Sequence, residues 1–128
     1  MAEFLPQARQ TILAFAESMA MSGEPKAGPD GSYTFLFESS GTVSLLPTPD
    51  GRNVMVAVGR QPIVDDEAAM LRLFMNAGLE VLTVGALHAG IAPNGDYYLA
   101  TIIPNHRFDL PTLETTLNEC FAVHDAAA

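Results

Sequence analysis

Tryptophan is absent from this sequence, cysteine occurs once, and lysine and arginine together number six in 128 residues. Each scarcity excludes something. With Cys120 alone no intramolecular disulfide can form, so stability rests on a packed core, and a reducing compartment suits the chain. Arg9, Lys26, Arg52, Arg60, Arg72 and Arg107 are scattered rather than clustered. Nucleic-acid backbones are held by clustered cations, and a net charge of −9 opposes them. No apolar run is long enough to span a bilayer. The start, MAEFLPQARQ, lacks the basic-then-apolar pattern of a secretory signal. The expected location is the cytoplasm.

Signatures of catalysis and cofactor binding are scarce as well. Ser39-Ser40-Gly41 lacks the glycine pattern of a nucleophile elbow. GALHAG, from Gly85 to Gly90, is not followed by the Lys and Ser or Thr of a phosphate-binding loop, and no G-x-G-x-x-G occurs. His88, His106 and His124 lie on different elements, none with a second His or Cys at metal-ligand spacing. A zinc site from His106, Asp109 and a distant partner is the sharp reading of that loop; an exposed loop histidine is the plain one. His88 reads as a surface or interface side chain rather than a catalytic base. His124 sits near a fraying helix end, and Cys120 reads as a small core residue. Asp65-Asp66-Glu67 reads as a helix start rather than a metal or acid–base cluster. Arg72 reads as a polar residue on an exposed helix strip. No catalytic residue, metal or cofactor is expected.

What is abundant is apolar surface: 48% of residues are hydrophobic, enough for one domain over residues 1–128 with a real core. From about Glu3 to Met21, Phe4, Ala8, Ile12, Phe15 and Met19 recur at helical spacing. SGEPKAGPDG, from Ser22 to Gly31, reads as a loop. Three alternating strands follow. Tyr33, Phe35 and Phe37 share one face, Val43 and Leu45 alternate with Thr42 and Ser44, and Val54, Val56 and Val58 share another face. Pro49-Asp50-Gly51 marks the turn between the last two. Glu80 to Ile91 reads as one strand, kinked at Gly85 or Gly90. Pro93-Asn94-Gly95 turns the chain into a returning strand from Asp96 to Ile103. Asp109 caps a last helix whose stripe is Leu110, Leu113, Leu117 and Phe121. The tail from Asp125 to Ala128 is expected to fray. The order α-β-β-β-α-β-β-α, with hairpin-linked strands, predicts an α+β domain built on a twisted antiparallel sheet.

The middle helix, DDEAAMLRLFMNAG from Asp65 to Gly78, is apolar on more than one side. Ala69, Leu73, Met70, Phe74 and Ala77 form adjacent rows, while Leu71 and Met75 lie on another side. A helix apolar nearly all round needs cover on both sides, and so short a chain has little left to supply it. A second copy of the chain is the expected cover. The methionines fit a related reading: Met70 and Met75 suit a dimer interface, while Met19, Met21 and Met55 suit either core packing or contact with varied apolar partners.

Three segments carry a family resemblance: PDGRNVMVAVG, MLRLFMNAGLEV, and GIAPNGDYYLATIIP followed by LPTLETTLNECF. In this order they resemble the second hairpin, the dimer helix, and the last hairpin and C-terminal helix of class I type III secretion chaperones, the CesT/SycE-like or Tir-chaperone family. The Ala86 to Ile91 stretch is more apolar than that pattern, and the chain ends short and Ala-rich. The resemblance implies a homodimer without enzymatic activity, binding the N-terminal segment of a secreted effector in an extended state for delivery to the secretion apparatus. It implies a dimer interface at Met70, Leu71, Phe74, Met75, Leu82 and Val84. It also implies partner contacts among Phe15, Met19, Phe35, Phe37, Val43, Leu45, Val54 and Val56, some of which belong in the core. Two other readings stand beside it: a dimeric adaptor or regulatory scaffold of similar α+β shape with no secreted client, and a small enzyme using His88 or His106.

Overall fold

Alternation of buried and more open side chains along the strands builds the central sheet. The computed structural model describes residues 4–19, 28, 31–37, 41–61, 68, 71, 75–76, 81–93 and 95–127. Strands β1 (Tyr33–Phe37), β2 (Gly41–Pro47), β3 (Asn53–Arg60), β6 (His88–Ile91) and β7 (Tyr97–Pro104) form one antiparallel sheet in the order β1-β2-β3-β7-β6. The successive strands β1, β2 and β3 form a meander, as their alternation predicts. Helix α1 (Pro6–Ser18) precedes the sheet and helix α2 (Leu110–Ala127) follows it. Ala68, Leu71, Met75 and Asn76 are helical, and lie inside the predicted middle helix; the rest of Asp65 to Gly78 is outside the described residues.

Turn chemistry fixes the register. Gly51 adopts φ +71°, a conformation that costs glycine little. Its N–H donates to the Thr48 carbonyl at 2.8 Å. Asp50 Oδ1 accepts from the Thr48 hydroxyl at 2.6 Å and from the Arg52 N–H at 3.0 Å. These bonds, the Thr48 hydroxyl first, hold the Asp50 carboxyl below its ordinary range. The hairpin predicted at Pro93-Asn94-Gly95 joins β6 to β7, with Gly95 at φ +91°.

One predicted strand is not one strand. Glu80 to Ile91 was expected to run continuously with a kink. Instead β4 (Val81–Leu82) and β5 (Gly85–Ala86) pair with each other as a separate two-stranded hairpin, and β6 begins at His88. The chain folds back at Thr83 and Val84 rather than bending, and Gly85, the first residue of β5, sits at φ +149°.

The helices lie on one face of the sheet. Ala8, Ile12, Phe15 and Ala16 form the buried stripe of α1. On α2, Leu113, Leu117 and Cys120 are buried. They close over Tyr33, Phe35, Val43, Leu45, Val54, Val56, Val58, Leu99 and Ile103. Each such large side chain contributes roughly 1.5–3 kcal/mol by leaving water. Asp109 caps α2, as expected: the Thr112 N–H donates to Asp109 Oδ1 at 2.8 Å. Bonds from Thr112, side chain first and backbone second, hold this carboxyl low too. The far end does not fray at Asp125, because α2 continues to Ala127.

Candidate functional site

The face of the sheet turned away from α1 and α2 carries apolar side chains as well. Leu46 lies opposite Met55, and Met55 opposite Ile102, so three strands contribute one apolar row. Leu46 and Met55 are half-buried and Ile102 is 40% exposed. Toward the edge, Leu36 on β1 is 79% exposed. The next row holds small residues, Ser44, Ala57 and Ala100, directly opposite one another. A ridge of long side chains beside a low strip gives this face relief that an extended chain can follow.

β1 is also an edge strand, and its last residue joins an aromatic chain. The Phe35 and Phe15 rings meet edge-on at 5.3 Å, Phe15 and Phe37 at 6.5 Å, and Phe37 and Phe121 at 6.4 Å. Phe37 and Phe121 are half-buried. Met19, at the C-terminal end of α1, is exposed. An edge strand flanked by partly open aromatic rings offers both main-chain pairing and side-chain pockets.

A second apolar set lies elsewhere in the chain. Leu71 and Met75, one helical turn apart, are both exposed, Met75 at 52%. Val81 on β4 is 75% exposed. Val84 is half-buried. Leu82 departs from the expected dimer surface. It is buried in the chain's own core, because the β4–β5 hairpin folds inward on it. Met70 and Phe74 lie outside the described residues, as do Arg72, Met21 and Asp65 to Glu67.

The residues of the expected partner surface divide between core and surface. Phe15, Phe35, Val43, Leu45, Val54 and Val56 are all buried beneath the helices. Their alternation marks the face that α1 and α2 cover, so in the single chain they build the core, where some of this set was expected. Met19 and Phe37 keep accessible surface. On the opposite face Leu36, Leu46, Met55 and Ile102 keep accessible surface. Their signal in the sequence is the paired apolar residues Leu45-Leu46 and Ile102-Ile103, which place one side chain on each face.

Among the described residues no three His, Cys, Asp or Glu side chains come together at metal-binding range. Cys120 is buried, and burial pushes its thiol up to about 12, which leaves it inert. His88 and His106 are exposed. His124 corrects the expectation of a frayed end: it is 5% exposed, with Nε2 2.8 Å from the Val58 carbonyl oxygen. Burial holds its imidazole below the ordinary value. Among the described residues no helix is long and apolar enough to cross a membrane.

No family model and no curated protein sequence matches the chain. Solved structures match it in fold. A chain of the HopA1–SchA chaperone–effector complex superposes with a TM-score of 0.68 at 14% identity, over 94% of this chain and 93% of that one. A chain of the complex between the Yersinia pestis type III secretion chaperone SycH and a stable fragment of YscM2 gives 0.65 at 12% identity, over 94% and 96%. A chain of the ExsC–ExsE complex gives 0.65 at 17% identity, over 94% and 88%. The chain has the α+β fold of type III secretion chaperones. At such identities the likeness is one of backbone path, carried by apolar periodicity rather than by shared side chains.

Proposed function

We propose that this protein is a cytoplasmic, homodimeric type III secretion chaperone without enzymatic activity. It holds the N-terminal segment of a secreted effector in an extended state and keeps it soluble for the secretion apparatus. The observation that carries the reading is the chaperone fold combined with a sheet face whose apolar row, Leu46, Met55 and Ile102, no described helix covers. An extended segment pairs along β1, sets side chains against Leu36 and Phe37, and reaches Met19 at the end of α1. The net charge of −9 keeps so apolar a surface in solution and favours a client with basic residues. Leu71, Met75 and Val81 form the surface for the second copy, with Met70, Phe74 and Val84 as the remaining proposed members.

The test is co-expression with the N-terminal segment of the effector encoded nearest to this gene. The chaperone reading requires that the segment co-purify in a fixed ratio and become resistant to protease while staying extended by circular dichroism. A segment that remains insoluble, or is digested at the same rate with and without this protein, would remove it.

A further inference from the structure

We propose that the last two turns of α2 form an acid-released latch over the aromatic chain beside edge strand β1, with His124 as the group that takes up the proton. Two ties hold these turns to β3. His124 Nε2 meets the Val58 carbonyl at 2.8 Å. Asp125 Oδ1 pairs with Arg60 Nη1 at 2.5 Å. Arg60 in turn lies over the Phe121 ring, 5.9 Å from its centroid. β3 thus receives a neutral tie at the Val58 backbone and an ionic one at the Arg60 side chain, two residues apart.

A carbonyl only accepts, so Nε2 carries the hydrogen and the uncharged ring is the form that fits. Protonation adds a hydrogen at Nδ1 and places a full charge in a buried site. Against that burial, the hydrogen bond to the Val58 carbonyl favours the charged ring; among the described residues Arg60 opposes protonation and Asp125 favours it. Asp125 is engaged with Arg60 and its side chain is 70% exposed, so its help is screened by water. β7 carries no charged residue, and the charged residues of α1, Arg9 and Glu17, are exposed. The balance leaves burial dominant and the imidazole below its ordinary value of 6.5. Burial of the neutral ring therefore stabilises the docked helix end fully above 6.5, and that stability is lost as pH falls toward the lowered value, because the charged ring is drawn to water. The charged ring reaches water when the helix end lifts, and lifting uncovers Phe121, Phe37 and Cys120. The latch is a property of the chain alone and stands apart from the chaperone reading.

Cys120 supplies the readout, since it lies one helical turn before His124, is buried, and is the chain's single thiol. Its reaction with a dithiodipyridine is measured on the intact protein and divided by the rate for the unfolded chain at the same pH. Between about pH 7.5 and about pH 5.5 the ratio is expected to rise several-fold, with about tenfold the ceiling that an ordinary imidazole in the lifted state sets. In His124→Gln, whose amide keeps an uncharged donor for Val58, it is expected to stay flat. A flat ratio in the native protein, or an equal rise in the variant, overturns the latch. Should the variant not fold, NMR on the native protein decides. A His124 ring that becomes charged while amide exchange from Ala122 to Ala126 stays unchanged also overturns it.

Discussion

Tyr98 lies directly opposite Gly59 across the β3–β7 ladder, and its ring covers the place where a side chain on residue 59 would stand. The glycine is required by this close approach rather than by a turn. Gly59→Ala drives a methyl group into the ring, so we expect a loss of about 1–3 kcal/mol in urea unfolding. The same substitution made in a Tyr98→Ala background should cost much less. Equal costs in the two backgrounds would mean that the ring is not what excludes a side chain.

Neighbouring residues on β1 separate folding from binding. Phe35 is buried against Phe15, whereas Leu36 points the other way into solvent. Phe35→Ala should cost about 3–5 kcal/mol. Leu36→Ala should leave stability within about 0.5 kcal/mol, yet weaken retention of an effector segment in a pull-down. An unchanged pull-down would take β1 out of the proposed client surface.

Leu71 and Met75 allow the dimer to be tested without disturbing the core, because both are exposed in the single chain. Leu71→Glu combined with Met75→Glu should yield a folded monomer by sedimentation, since burying two charges at a twofold interface has no compensating partner. Native protein that already sediments as a monomer, or a double variant that remains dimeric, would move the interface elsewhere.

Acid acts on the caps through Asp50 and Asp109. Hydrogen bonds hold both carboxyls below 3.8 in the folded chain. A depressed carboxylate contributes stability above its unfolded value and loses it as pH falls toward the folded one. Thermal melts should therefore decline below about pH 4. Asp109→Asn, which keeps an acceptor for the Thr112 N–H without the charge, should show a shallower decline in that range. A parallel decline would assign the acid sensitivity to other groups.

Period and punctuation made much of this fold legible before any coordinates. Tyr33 and Phe35, and Val54, Val56 and Val58, share the faces that their alternation assigned. Asp109 and Pro49-Asp50-Gly51 mark boundaries that local hydrogen bonding enforces. The partner surface was harder to read. Alternation states which side chains share a face, but not which face the helices will cover, and so Val43 and Leu45 were as eligible for a client as Leu46. Residues Glu80 to Ile91 misled for another reason: their apolar content suits either one strand or a hairpin, and only the backbone at Thr83 and Val84 decides. His124 escaped because burial of a polar group near a chain end depends on a carbonyl, that of Val58, far away in sequence.

The central pair of strands, β3 and β7, is joined by all of residues 61–96. This has a kinetic consequence. The β1–β2–β3 meander can assemble from local contacts, but its junction with β7 waits for a long loop to close. Pairings so far apart in sequence slow folding. Yet each doubling of a flexible loop adds only about 0.6 kcal/mol. Evolution can therefore lengthen or rewrite the intervening segment, the part that carries Leu71 and Met75, at little thermodynamic penalty to the sheet it interrupts.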